Sequence, residues 1–349
     1  MTALRRLRAL LLLAAWALAP VGCGPGDQDV EHWRFAIEET AGSVQDAYAQ
    51  EFARRIEART KGEVQVTIYP YGALGTSDQI TEQLHAGILQ FAMASPGHLG
   101  TLIPEVQVFL LHFVLSDDDE VNRQALADPE LLAAFDRLYS EKGFKLLSFF
   151  SEGWQVWTTR VPIRKPEDFQ GVKFRVMTSP LLLAAYAAYG ASPTPLPYAE
   201  VYSALQLNMI DGQVNPIFAI QEMSFYEVTD YLVFANQAPF VTSAVASRRF
   251  YEKLAPERRR LLDEVVAELD DYVFDVQRQS NRKSLDLIRE RKPDIQILRL
   301  DDAERARFRA ASMSVRDRFV ELAPKNGERI LELFEAAVTR AEAASQKQP

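Results

Sequence analysis

The pattern of hydrophobic and polar positions near the start of the chain switches between strand-like and helix-like segments. Three segments favour strands, by alternation or by a short apolar run, namely Trp33–Ile37, Val64–Tyr69 and Leu89–Ala94. Helical spacing follows Ser43, a favourable N-cap residue, as far as Thr60, and it returns between Ser77 and Gly87. This β-α-β-α-β order predicts a parallel sheet with right-handed crossovers.

The same switching continues through the rest of the chain. Strands are predicted at Phe109–Leu115, Leu146–Phe150, Val156–Thr159, Phe174–Met177, Ile210–Val214 and Ile295–Ile297. Helices are predicted at Pro180–Tyr189, at Tyr198–Leu207 and from Asp301 onward. The acidic run Ser116–Glu120 is expected to open a helix, because acidic groups suit a positive helix N-terminus. A calcium loop is the alternative, but the run lacks the glycine and terminal glutamate of an EF-hand.

The longest helical pattern extends from Pro256 to Lys292. Leu262, Val265, Leu269 and Val273 lie on one broad apolar stripe. A helix of this length would extend for about 54 Å, which exceeds the width of a single small domain. We therefore predict a two-lobed α/β protein in which this helix packs against both lobes.

The amino-terminal segment has the features of an export signal. Arg5, Arg6 and Arg8 precede an apolar run over residues 9–19. As a helix this run would reach about 16 Å, too short to cross a bilayer core of about 30 Å. Residues 1–22 are therefore predicted to be a signal peptide and residues 23–32 a tether.

Cys23 is the only cysteine in the chain. Its position directly after the apolar run resembles a bacterial lipoprotein cleavage box, which implies lipid attachment at Cys23 and a lipid-anchored periplasmic location. A small buried apolar residue is the alternative role for a lone cysteine.

Composition and motifs exclude several classes of function. The 349 residues carry 39 basic and 48 acidic side chains, a net charge of −9, without a basic cluster in the body of the chain. Nucleic-acid binding is therefore not expected. No glycine-rich phosphate loop or nucleophile elbow is present, and the four histidines form no paired metal motif. We predict no enzyme activity, cofactor or metal site; a secreted hydrolase remains a remote alternative.

Two polar residues occur in otherwise strand-like surroundings. Arg175 lies within the apolar strand Phe174–Met177, where it either pairs with an internal acid or awaits a carboxylate ligand. Asn215 precedes Pro216, which keeps its backbone extended, and its amide can both donate and accept hydrogen bonds. His98 follows a strand and could contact a ligand or pack within its loop.

The motifs around these residues resemble a known receptor family. Arg175 in its strand, Pro195-Leu-Pro-Tyr-Ala-Glu-Val-Tyr and Asp211-Gly-Gln-Val-Asn-Pro are similar to the solute-binding subunit of tripartite ATP-independent periplasmic (TRAP) transporters. The resemblance extends from Trp33 to about Glu335. It implies a type II-like periplasmic binding protein that closes two lobes over a small carboxylate, with Arg175 and Asn215 contacting the solute.

Within this family the chain resembles the ectoine-binding branch. The resemblance implies that Glu39 faces a cationic group of the solute while Phe91, Tyr198 and Phe218 pack against its ring. Gln155 occupies the stretch where many members carry a second arginine, which argues against a simple dicarboxylate. From the residues themselves, Phe91 could be core, Glu39 could cap the helix after Ser43, and Tyr198 could pack on Pro195.

The predicted function is therefore an extracytoplasmic receptor that delivers a small carboxylate, zwitterionic or cyclic, to the small and large membrane subunits of a TRAP transporter. An ABC-type or orphan sensory binding protein for an organic acid is the alternative. Lobe I is predicted over residues 33–153 and about 241–275, and lobe II over residues 154–240 and about 276–345.

Overall fold

The computed structural model describes residues 30–346. The predicted signal peptide, Cys23 and most of the predicted tether lie outside these residues. None of the helices within residues 30–346 combines the length and apolar character needed to span a bilayer.

Ten strands are present within the described range. They are β1 (Glu31–Ala36), β2 (Val64–Tyr69), β3 (Phe91–Ala94), β4 (Phe144–Thr159), β5 (Lys173–Val176), β6 (Ser192–Pro195), β7 (Gly212–Pro216), β8 (Tyr231–Phe234), β9 (Pro239–Ser247) and β10 (Gln296–Arg299).

Thirteen α-helices occur between the same limits. They are α1 (Val44–Arg59), α2 (Ser77–His85), α3 (Pro96–Leu99), α4 (Asp119–Leu126), α5 (Pro129–Glu141), α6 (Pro180–Ala188), α7 (Val201–Gln206), α8 (Ile217–Glu222), α9 (Arg248–Tyr251), α10 (Pro256–Arg291), α11 (Asp302–Ser312), α12 (Ser314–Leu322) and α13 (Gly327–Ser345).

The sheet order is β2-β1-β3-β9-β4-β7-β5-β6, with β8 beside β4 and β10 beside β8. We define the first lobe as the part built on β1, β2, β3, β9 and the beginning of β4. The second lobe is built on the end of β4 with β5 to β8 and β10. β4 therefore passes from one lobe to the other, and the predicted two-lobed α/β architecture is confirmed.

The parallel crossovers predicted for the first lobe are confirmed. β1 pairs in parallel with both β2 and β3. Ser43 caps α1, because its hydroxyl accepts a hydrogen bond of 3.1 Å from the backbone N–H of Asp46. The acidic run also behaves as predicted, since the Asp118 side chain caps α4 by accepting from the Glu120 backbone.

The long helix α10 contacts the cores of both lobes. Leu262, Val265 and Leu269 belong to the apolar cluster under β1 and β3. Ile288, near the other end, belongs to the cluster of the second lobe with Val201. A single rigid element thus connects the two cores, as the sequence predicts.

Two strand predictions are wrong in position or extent. The predicted strand at Phe109–Leu115 is absent; Pro104–Leu110 is a 3₁₀ helix whose residues from Glu105 onward are buried. Residues 109–113 are buried, which explains the mostly apolar run, and periodicity alone cannot assign such a run to a strand. The predicted strands Leu146–Phe150 and Val156–Thr159 are parts of one strand, β4, interrupted by register shifts near Leu146 and Ser151.

The sequence pattern missed β9, which lies at the centre of the sheet. This strand pairs antiparallel with both β3 and β4. All of its residues except Phe240 are buried, so it shows no alternation of polar and apolar positions. The residue limits of the two lobes remain predictions.

Candidate functional site

The polar residues of interest lie where parallel strands end. Glu38 and Glu39 follow β1, Ser95 follows β3, Arg175 lies near the end of β5, and Asn215 near the end of β7. Ligands of open α/β sheets bind outside the carboxyl ends of the strands, where helices and loops diverge. The topology therefore brings side chains from both lobes to one place.

A cavity lies at these strand ends, and residues of both lobes line it. Its lining combines charged, polar and apolar side chains: Glu38, Glu39, Gln45, Ser77, Ser95, His98, Arg175, Met177, Tyr198, Asn215 and Phe240. Four residues predicted to bind ligand, Arg175, Asn215, Glu39 and Tyr198, are thus brought together.

Arg175 is 1 % exposed, and its guanidinium is held in place by the backbone. Nε and Nη2 donate to the carbonyl oxygen of Leu196 at 3.0 and 2.8 Å. Within the described residues no carboxylate forms an ion pair with it. Burial lowers the pKa of Arg175 to about 10, so the group stays charged at neutral pH. The internal ion pair is therefore not found within the described residues, and ligand binding by Arg175 stays a prediction.

Asn215 and Tyr198 flank Arg175 on the second lobe. The Asn215 amide donates to the side-chain oxygen of Gln213, and Asn215 lines the cavity. The Tyr198 ring packs edge-on against Tyr71 at 5.9 Å and against Phe225 at 5.8 Å. Tyr198 therefore serves both as cavity wall and as a link between the lobes.

An acidic group of residues occupies the opposite, first-lobe side. Glu38 accepts a 2.8 Å hydrogen bond from the backbone N–H of Ser95. Glu39 accepts one of 3.3 Å from the backbone of Gln45, and the Gln45 side chain donates to Glu152 at 2.9 Å. Burial raises the pKa of Glu38 and Glu39, and it raises that of Glu152 to about 7.

Three of the predicted ligand residues do not line this cavity. Phe91 is fully buried in the first-lobe core, with ring centroids 5.3 Å from Trp33 and 5.0 Å from Phe52. Phe218 is 2 % exposed and belongs to the same apolar cluster. Gln155 is buried where β4 pairs with β7. The core alternative for Phe91 is the one that its surroundings favour.

Sequence reasoning missed several lining residues, among them Gln45, Met177 and Phe240. Gln45 lies on α1, two residues after the cap, and no pattern marks its side chain as pointing to a cleft. Met177 and Phe240 come from different lobes and meet only through the tertiary fold. The signal that marks Ser95 is its position directly after the predicted strand Leu89–Ala94.

The two lobes touch each other around the cavity. The backbone N–H of Thr40 donates to Glu222 at 3.3 Å, and Tyr71 packs on Tyr198. A Cβ atom at Gly97 would lie 2.6 Å from the sulfur of Met177, so glycine permits this close approach. These contacts join the two lobes beside the cavity, and they would break if the lobes separated.

The model of the family described as bacterial extracellular solute-binding protein, family 7, matches residues 35–322. The chain belongs to this family. It is a solute-binding receptor of the TRAP transporter type, as the motifs predict, and the ABC-type alternative is not supported.

Relatives of this receptor share most of its length. It is 41 % identical to the ectoine/5-hydroxyectoine-binding periplasmic protein UehA of Ruegeria pomeroyi, over 87 % of this chain and 89 % of the relative. It is 37 % identical to the ectoine-binding periplasmic protein TeaA of Halomonas elongata, over 90 % and 92 %. The structure of the periplasmic ectoine-binding protein from the TeaABC TRAP-transporter superposes with a TM-score of 0.86, covering 89 % of this chain and all of that one.

These relatives are periplasmic binding proteins of transporters rather than enzymes. Lipid attachment at Cys23 receives no support from them, and Cys23 lies outside the described residues.

Proposed function

We propose that this receptor binds a small zwitterion of the ectoine type, with a carboxylate at one end and a delocalised cation at the other. Arg175 and Asn215 hold the carboxylate, and Glu39 faces the cation while Tyr198 covers the ring. One observation carries the proposal. The same cavity is lined by the buried guanidinium of Arg175, which has no ion pair within residues 30–346, and by the buried carboxyl groups of Glu38 and Glu39.

The distribution of charge favours a zwitterion over a dicarboxylate. A second carboxylate buried here would need a second cation, since an unpaired buried charge is costly. Arg160, the basic residue nearest to Gln155 along the chain, donates to the backbone oxygen of Leu205 and does not line the cavity. Glu38 and Glu39 would repel a second anion. The two relatives are named as ectoine-binding proteins, and a zwitterion such as ectoine fits this distribution of charge.

A thermal-shift screen of the mature protein tests the proposal. Ectoine, hydroxyectoine, succinate, orotate and a 2-oxo acid form the panel, each at a fixed concentration. A ligand at a hundred times its dissociation constant adds about 2.7 kcal/mol of stability, which raises the unfolding midpoint measurably. Shifts with the zwitterions alone support the proposal. Shifts confined to succinate would contradict it. They would indicate a dicarboxylate site in which Gln155 or Arg160 contacts the second carboxylate.

Delivery of the solute to small and large membrane subunits is part of the same proposal. Co-purification of the solute-loaded receptor with membranes that contain those subunits, and not with membranes that lack them, is the expected result. An orphan sensory receptor would show no such dependence.

Lipid attachment is a separate prediction from sequence. Intact mass measurement of the mature protein distinguishes a diacylated amino-terminal cysteine from an unmodified one. The Cys23→Ser variant is the matched control, and an unmodified Cys23 would end the prediction.

A further inference from the structure

Two buried carboxyl groups of the first lobe, those of Glu39 and Glu152, are joined by one residue. Each also affects the pKa of the other through a side-chain interaction. Gln45 joins them, because its backbone N–H donates to Glu39 and its side-chain amide donates to Glu152. The oxygen of the same amide accepts from the backbone N–H of Glu38 at 2.8 Å, which fixes the orientation of the amide.

No basic side chain neutralises this pair within the described residues. Glu152 is 0 % and Glu39 is 7 % exposed, so neither charge is stabilised by water. One oxygen of Glu152 and one of Glu38 are buried without a hydrogen-bond donor from the described protein. Two interacting carboxylates at low dielectric cannot both be ionised at modest cost, and sharing one proton removes the repulsion.

We propose that Glu39 and Glu152 share one proton in the ligand-free receptor, and that the cationic group of the solute takes the place of this proton. The proton passes to bulk water as the cation binds, and both carboxylates are then ionised beside it. This inference rests on the proposed zwitterionic solute, because an anionic solute would leave the proton where it is.

The charges that surround the pair reinforce this coupling. Glu38 and Glu222 face it from the end of β1 and from α8, and both raise the cost of a second negative charge. Asp46 lies beyond, near Glu222, while His98 faces Glu38. The charge of Arg175 interacts with Tyr198 and Tyr71.

The effect on the pKa has the direction that the proposal requires. Burial raises the pKa of Glu39 well above its usual range, and interaction with Glu152 raises it further. A carboxyl group with a raised pKa holds its proton more tightly in the folded than in the unfolded protein. Its contribution to stability therefore falls as pH rises from the unfolded pKa toward the folded one.

Infrared spectroscopy of the ligand-free receptor tests the shared proton without any solute. At neutral pH the wild type is expected to show the carbonyl stretch of a protonated carboxyl group. Glu152→Gln is expected to lose this band. The new amide can donate a hydrogen bond to an ionised Glu39 and can still accept one from Gln45, so no shared proton is needed. Glu200→Gln, which removes an exposed carboxylate, is the matched control and should retain it. Absence of the band in the wild type would overturn the proposal.

Calorimetric titration with ectoine in two buffers of different ionisation enthalpy tests the displacement. The wild type is expected to release about one proton per bound solute at neutral pH, and Glu152→Gln to release close to none. Wild-type affinity should rise with pH, while that of Glu152→Gln should stay nearly constant. Identical heats in both buffers for the wild type would overturn the coupling.

The two proposals fail in different ways. If no zwitterion binds, the proposed function fails and the displacement step fails with it, while the infrared band still decides whether the pair shares a proton. If a zwitterion binds without proton release, the proposed function stands and the coupling is wrong.

Discussion

Arg175 carries a positive charge that is almost completely removed from solvent. Two hydrogen bonds to the Leu196 oxygen offset part of the desolvation cost and orient the guanidinium toward the cavity. These bonds use Nε and Nη2, so Nη1 makes no hydrogen bond to the described residues, and Arg175 lines the cavity. Rigid support of this kind is what a carboxylate-binding arginine requires.

Replacement of Arg175 should weaken solute binding strongly. Arg175→Ala is expected to cost about 2–5 kcal/mol of binding free energy, as for truncation of one side of a buried charge pair. Arg175→Lys should also bind poorly, because a point charge lacks the planar fork. Calorimetric titration measures both. Lys173→Ala, which removes an exposed cation from the same strand, is the control, and equal affinity of Arg175→Ala and this control would exclude Arg175 from the site.

Phe91 allows a core role to be separated from a ligand role. Phe91→Ala is expected to lower the free energy of unfolding by about 3–5 kcal/mol, because it opens a cavity among packed rings. Urea unfolding measures this loss. Phe91→Leu preserves most of the volume and should keep the affinity for solute. A Phe91→Leu protein that is stable but binds weakly would restore Phe91 to the ligand site.

At the scale of elements, α1 links the fold to the acidic side of the cavity. Its first turn holds Gln45, which connects Glu38, Glu39 and Glu152 through its amide and backbone. Ser43 caps that turn. The position of the acidic residues therefore depends on an ordered amino-terminal end of one helix.

Loss of this cap should have a measurable cost. Ser43→Ala is expected to lower the free energy of unfolding by about 1 kcal/mol, since a backbone N–H loses its side-chain acceptor. Chemical denaturation at equilibrium gives the value. Ser43→Asp retains a capping oxygen and serves as the matched control. Equal stability of Ser43→Ala and wild type would show that the hydrogen bond of Ser43 contributes nothing.

At the scale of the whole molecule, closure depends on contacts between lobes. Tyr71 of the first lobe meets Tyr198 of the second, and Thr40 meets Glu222. β4 and α10 belong to both lobes and connect them independently of these contacts. Such an arrangement is typical of hinge closure around a ligand.

Removal of one closing contact should shift the balance toward separated lobes. An edge-to-face aromatic pair contributes about 0.5–1.5 kcal/mol, so Tyr71→Ala is expected to weaken solute affinity by roughly 2-fold to 10-fold. Small-angle scattering should show a larger radius of gyration than the wild type at the same solute concentration. Tyr272→Ala, on α10 and away from the cleft, is the control. Unchanged affinity and size in Tyr71→Ala would exclude this contact from closure.

The sequence by itself determined the family, the first-lobe crossovers, the long helix and the roles expected of Arg175 and Asn215. These features depend on local signals: alternation, caps, a continuous apolar stripe and motifs whose residues are close along the chain. The bounds of α10 agree with the prediction within one residue at the carboxyl end.

The tertiary structure alone decided which side chains face the cavity. Phe91 and Phe218 are aromatic residues of the kind that can pack against a ligand ring. Their strand and helix nevertheless direct both side chains into the core. Glu152 is 107 residues from Gln45 along the chain, and their contact follows from the passage of β4 beside α1. The sequence pattern does not predict β9, because burial on both faces removes the polar alternation that marks a strand. Burial and long-range contacts are properties of the folded chain. They can be predicted from the sequence only where a local pattern accompanies them.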